Sequence, residues 1–129
     1  MKVKNLNEIN EITEQIIAAC IEIHRVLGPG LLESVYRDCL FHELGLRKME
    51  CKKEVPVSLE YKGLDIGNGY RIDLLVEDTV IVELKAVETV LGIHEAQILT
   101  YLRLARKKVG LLINFNTKLL KSGIKRYIL

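Results

Sequence analysis

The chain has 129 residues, of which 49% are hydrophobic and 28% charged, with a formal net charge of +2. That is the size of one domain with enough apolar residues for a core, which excludes a disordered chain. The small positive charge neither demands nor excludes a nucleic-acid partner, so where the charges fall matters more than their sum.

The longest apolar runs fall far short of the roughly 18 residues that cross a bilayer, and no signal peptide is read ahead of the first helix. No membrane partner is therefore expected, and the chain reads as a single domain over residues 1–129. Cys20, Cys39 and Cys51 are odd in number and form no CxxC pair. That argues against a zinc or iron–sulfur site and against a disulfide framework. They read as reduced thiols of a cytoplasmic protein.

In chain order, Ile9, Ile12, Ile16, Cys20, Ile23 and Leu27 recur at steps of three and four. They predict a helix over residues 8–27, capped by Asn5 or Asn7. "GPG" at 28–30 ends it, and Gly28 and Gly30 serve a tight turn. A second helix is expected over 31–44, stopped by Gly45. "EVPVSLEY" at 54–61 then alternates, with Val55, Val57, Leu59 and Tyr61 on one face. It reads as a half-buried strand, and Pro56 places it at a sheet edge. "GNG" at 67–69 is a turn. "YRIDLLV" and "TVIVELKAV" follow as strands around a short turn at 77–78, completing an antiparallel meander. A third helix covers 93–106, "VGLLINF" at 109–115 is an interior strand, and "GIKRYIL" is a last short strand. The order is ααβββαββ, an α/β fold with a central mixed sheet flanked by helices.

Asp73, Glu83 and Lys85 stand among apolar strand residues. Alternate strand residues share a face, so Glu83 and Lys85 lie together while Val82 and Leu84 fill the other side. Asp73 shares its face with Arg71 and Leu75. Pairing through the 77–78 turn brings Asp73 within one or two residues of Glu83. Like charges that close raise one another's pKa. Lys85 alone is one way to offset them. A divalent cation is the stronger one: two carboxylates and some waters suit Mg²⁺, which helps phosphoryl chemistry. The plainly structural alternative pairs Asp73 with Arg71 or a turn amide, and Glu83 with Lys85. Glu33 lies four residues before Arg37, an exposed helical pair worth about 0.2–0.5 kcal/mol. His94, Gln97 and Tyr101 fall on one face of the third helix. For Gln97 and Tyr101 the alternative is a half-buried pair at a helix rim, and a lone histidine at a helix start is usually solvated.

These residues resemble a known family. The spacing D-x9-E-L-K in a helix–meander–helix setting is similar to the active-site pattern of the PD-(D/E)XK nuclease superfamily. "GLLESVY" at 30–36 matches the GxxExxY signature of a small prokaryotic family within it. "EVPVSLEYKG", "YRIDLLVED", "VIVELKAV", "HEAQILTYL", "VGLLINF" and "GIKRYIL" extend the likeness over nearly the whole chain from about residue 10. The resemblance implies that Asp73 and Glu83 bind Mg²⁺ or Mn²⁺ and that Lys85 assists the attacking water. It implies that Glu33 completes the metal site and that Tyr36 packs against the sheet nearby. "QILTY" resembles the Q-x-x-x-Y motif of RecB-like nucleases, implying that Gln97 contacts the metal or the DNA and that Tyr101 supports it. Ile72 stands where the superfamily name has proline.

A DNA substrate, with RNA left open, needs cations for its phosphates. Three basic clusters are available: Arg47/Lys48/Lys52/Lys53, Arg103/Arg106/Lys107/Lys108 and Lys121/Lys125/Arg126. Few aromatics are free for base stacking, which disfavours recognition by stacking. Two further readings stand beside the nuclease. One is a nucleic-acid- or partner-binding module that keeps the fold without turnover. The other is a homodimer acting as a structure-selective endonuclease.

Overall fold

The computed structural model describes residues 3–67 and 69–129. Helix α1 spans Leu6–Leu27, α2 Glu33–Leu46 and α3 Gly92–Ala105. Five strands form the main sheet: β1 (Cys51–Pro56), β4 (Arg71–Val76), β5 (Val80–Lys85), β6 (Val109–Asn114) and β7 (Ile124–Ile128). They lie in the order β1-β4-β5-β6-β7. Only β5 and β6 run parallel, with α3 as their crossover; the other neighbours are antiparallel. The expected mixed α/β sheet is present. Among the described residues no helix is long and apolar enough to cross a membrane.

Helix α1 begins where its cap can form. The Asn5 side chain accepts from the Glu8 amide at 2.9 Å, and the Glu8 carboxylate accepts from the Asn5 amide at 3.2 Å. That closes two of the amides a helix start leaves open. The stripe from Ile9 to Ile23 is buried as its spacing predicts, whereas Leu27 at the helix end is exposed. Gly28 and Gly30 both take positive φ, at 71° and 98°, a region that a side chain disfavours. Helix α2 runs to Leu46 rather than stopping at Gly45. The capping work falls to Arg47, whose amide reaches back to the carbonyls of the last turn, and Lys48 takes the positive φ.

The largest departure is at "EVPVSLEY". The strand lies further toward the N-terminus, over Cys51–Pro56, and ends where proline offers no N–H to the ladder. Its edge position is as expected. Glu60–Tyr61 instead belongs to a separate hairpin with Leu64–Asp65, designated β2 and β3. Tyr61 is accordingly exposed, while Val57 is buried. The meander is thus β1, β4 and β5, with a hairpin inserted between its first two strands. The "GNG" turn contains residue 68, outside the described residues.

The sheet buries apolar side chains on both faces. Leu74, Val82, Leu84, Leu111 and Ile113 pack under α1 and α2, and Ile72, Leu75, Ile81 and Leu112 under α3. A fully buried Leu or Ile contributes about 1.5–3 kcal/mol by leaving water. Gly110 lets α3 lie close on β6, since a Cβ there would come within 3.0 Å of Ile98. Tyr36 is fully buried and stacks on Phe115, with centroids 4.3 Å apart. Its hydroxyl donates to the Gly28 carbonyl at 2.6 Å and accepts from the Leu31 amide at 3.2 Å. It thereby clamps the turn that delivers Glu33. Tyr36→Phe keeps the stack and leaves both backbone groups unpaired, so it should lower unfolding free energy by about 1–3 kcal/mol in a urea titration. A loss of only a few tenths would show that the clamp contributes little.

Candidate functional site

The register of β4 on β5 places Asp73 and Glu83 in one row. Leu74 opposes Val82, Leu75 opposes Ile81, and Val76 opposes Val80, so the next step outward is Asp73 against Glu83. Beyond Leu74 and Val82 the backbone ladder gives way to side-chain bonds. The Glu83 carboxylate accepts from the Asp73 amide at 2.7 Å, and the Asp73 carboxylate accepts from the Leu84 amide at 2.8 Å. Two acids are thus tied to each other's strands through one oxygen apiece. Among the described residues the other oxygens, Asp73 Oδ1 and Glu83 Oε1, take no such bond.

The pair opens into a cleft of about 360 Å³ that also holds Lys85, Gln97 and Tyr101. Lys85 ends β5 on the same face as Glu83, and Gln97 and Tyr101 come from α3. Asn114 steadies the chain beyond Lys85. Opposite Lys85 on β6, it accepts from the Val87 amide at 3.1 Å and donates to the Val87 carbonyl at 2.8 Å. Glu33 is the first residue of α2, half-buried rather than exposed. His94 stands apart. Its Nδ1 accepts from the Leu91 amide at 3.0 Å, a helix-capping task.

Five cleft residues escape a reading based on motifs: Arg37, Glu54, Gly69, Tyr70 and Arg71. The Glu33–Arg37 spacing suggests a helical ion pair. Arg37 instead approaches Glu54 at 3.5 Å and Asp38 at 3.8 Å. Its Nε is buried without a hydrogen-bond partner among the described residues, a state that costs about 1–3 kcal/mol. None of the three basic clusters lines this cleft. Several of their members are engaged elsewhere: Arg47 with Glu43, Lys107 with Asp78, and Lys125 with Glu95.

Burial sets the electrostatics. It lifts the Glu83 carboxyl, helped by the Asp73 charge, to about 8, against the pull of the Asp73 amide and Lys85. Burial also raises Asp73, despite the Leu84 amide, Lys85 and Arg37, and it raises Glu33, with Lys85 and Asp73 acting in opposite senses. Burial keeps Tyr101 protonated, and the Glu83 and Asp73 charges add to that. Among the described residues, no three His, Cys, Asp or Glu side chains are gathered into a ready ligand set. Asp73 and Glu83 form the close pair, and Glu33 acts on it through charge. Such donors fit a hard divalent cation, because they are oxygens whose ionised forms lack compensating charge.

A raised carboxyl pKa has a definite sign for stability. An unfolded glutamate ionises near 4.3, so between about 4.3 and about 8 the fold holds a proton that the unfolded chain has lost. Stability contributed by protonated Glu83 is complete below that window and declines as pH rises through it. In a chelator, the melting temperature should be lower at about pH 8.5 than at about pH 6, and Glu83→Gln should flatten the difference. An undiminished pH slope in Glu83→Gln would show that other groups cause it.

A family model described as the PD-(D/E)XK nuclease superfamily matches residues 10–127, nearly the whole chain. Comparison with curated proteins and with solved structures finds no match. The matched span includes both strands of the acidic pair, the lysine after it, and the helices on either side. On that match, and with a mixed sheet that brings Asp73 and Glu83 together, the chain belongs to the PD-(D/E)XK nuclease superfamily.

Proposed function

We propose that the chain is a Mg²⁺- or Mn²⁺-dependent nuclease that hydrolyses phosphodiester bonds in DNA, of the branch marked by the GxxExxY signature. The observation that carries the reading is the Asp73–Glu83 pair, with Glu83 buried and Asp73 partly so, amide-anchored and open to a cleft on one side. Each signature residue also has a physical task. Gly30 takes a positive φ, Tyr36 holds the turn, and Glu33 starts the helix within electrostatic reach of the pair.

Asp73 and Glu83 would hold the cation, with Glu33 as a third carboxylate. The ion, when bound, would offset the negative charge that develops on phosphoryl oxygens. Lys85, beside Glu83, donates hydrogen bonds to the attacking water and to those oxygens. The Tyr101 hydroxyl stays protonated and therefore remains a donor. The Gln97 amide offers a donor and an acceptor at the same wall. The burial of Glu83 limits how far water screens the charges around it.

The second reading, a binding module that retains the fold without turnover, draws on the absence of a gathered three-ligand set among the described residues. One assay separates the two. Purified protein with Mg²⁺ or Mn²⁺ is offered single-stranded, duplex, flapped and branched DNA. Cleavage is expected, with Glu83→Ala inactive yet folded and Lys85→Ala slowed by about 10²–10³-fold. No product on any substrate, together with no metal binding by calorimetry, sinks the nuclease. Binding that persists unchanged in a chelator favours the module.

A further inference from the structure

Arg37 is a charged group of the cleft to which the proposed chemistry assigns no task. It lies one turn past Glu33 on α2, and its side chain is 23% exposed. Its two carboxylate neighbours are poor partners. Glu54 at 3.5 Å and Asp38 at 3.8 Å are both more than half exposed, and both contacts exceed the roughly 2.7–2.9 Å of a good charge-assisted hydrogen bond. Asp38 has a second cation in Lys53, also at 3.5 Å. The guanidinium therefore stands at a cleft wall with a buried Nε that faces Asp38 at 3.8 Å and makes no hydrogen bond among the described residues. A planar fork of donors suits two phosphate oxygens better than it suits this arrangement.

Glu54 has an unusual backbone. It takes φ 53° in the middle of β1, where a left-handed conformation is costly for a side chain with a Cβ. Lys53 opposes Leu74 and Val55 opposes Ile72, so the register is unchanged on either side. The skipped position faces Asp73. Glu54, Asp73 and Glu83 thus fall in one row across three strands, and Glu54 reaches Arg37 from its end. The strain sits at the one β1 residue that meets both the acidic pair and the arginine.

We propose that Arg37 grips a phosphodiester of the nucleic acid in this cleft, and that Glu54 is the counter-ion that holds its place until the phosphate displaces it. The inference deepens the nuclease reading and rests on its assignment of nucleic acid to the cleft. Glu54 is solvated, so returning its carboxylate to water costs little, as for other exposed ion pairs. The incoming phosphate offers Arg37 the two oxygens that Glu54 does not align. Such a contact reads the backbone and carries no base information, so it binds unrelated sequences equally.

The test uses an end-labelled single-stranded oligonucleotide, read by fluorescence anisotropy across a salt series, in EDTA and again with Ca²⁺. Arg37→Met should weaken binding roughly tenfold for unrelated sequences, and the slope of log affinity against log salt should fall by about 0.7. Arg37→Lys keeps the charge without the fork, so it should hold the slope and bind with intermediate affinity. Glu54→Gln should tighten binding about threefold, in line with removal of one competing exposed charge. That gain should vanish in Arg37→Met/Glu54→Gln. Unchanged affinity and slope in Arg37→Met overturn the proposal, as does an equal gain from Glu54→Gln with or without Arg37. If Arg37→Met fails to fold, Arg37→Lys and Glu54→Gln decide alone. Wild-type protein that binds no oligonucleotide in either condition overturns the inference together with the nucleic-acid assignment. Arg37-dependent binding without cleavage in Mg²⁺ or Mn²⁺ overturns only the nuclease, and cleavage with Arg37-independent binding overturns only this inference.

Discussion

Two carboxylates exchange backbone amides across one strand pair, and the site is built on that exchange. Asp73 accepts from the amide of Leu84, and Glu83 accepts from the amide of Asp73. Each bond fixes a side chain to the neighbouring strand, so neither acid can swing away without leaving a buried amide unpaired. The same bonds favour the ionised forms, while burial opposes them more strongly, and the Glu83 carboxyl ends near 8. A domain selected for stability alone would place apolar residues in this row. The pair is therefore a local expense carried by the surrounding core, as strained functional sites commonly are.

The scaffold holds the row from several sides. Register is set by Leu74, Val76, Val80 and Val82, because a slip of one residue would turn these to the α3 face and drive the charged Glu83 into the α1/α2 core. The parallel pairing of β5 with β6 puts Lys85 opposite Asn114, whose amide side chain grips Val87 and steadies the chain beyond the lysine. On one face, Tyr36 stacked on Phe115 fixes the start of α2 and with it Glu33. On the other, α3 lies close over Gly110 and brings Gln97 and Tyr101 to the cleft.

Charge placement is where linear patterns say least, because a run of like charge is usually a solvated face and does not by itself mark a cleft. The basic clusters of the sequence do not line the cleft, and Arg47, Lys107 and Lys125 among them are paired with other carboxylates. The cations at the cleft are isolated in sequence: Arg37 from α2, Arg71 at the start of β4, and Lys85 at the end of β5. No run of Lys and Arg marks them. The fold gathers them because the first turns of α2, the start of β4 and the end of β5 meet at one cleft. His94 shows the reverse case, a residue on the expected helix whose ring is taken up by the amide of Leu91, the N-cap residue before it.

Much was legible in the residues themselves, because strand alternation and helical spacing are local. The α1 stripe, the 77–78 turn, the interior strand at 109 and the shared face of Glu83 and Lys85 follow from periods of 3.6 and 2. The convergence of Asp73 on Glu83 follows too, since a short turn leaves little freedom of register. The end of β1 at Pro56 and the β2–β3 hairpin did not follow, because alternation continues through "EVPVSLEY" whether or not the backbone remains paired. The left-handed Glu54, the Arg37–Glu54 approach and the grip of Asn114 on Val87 join residues 17 or more apart, or depend on a backbone angle that composition does not encode. Short-range periodicity thus determined which acids share a face. Only long-range packing brought Arg37 to them, because the approach of α2 to β1 and β4 is set by how whole elements stack.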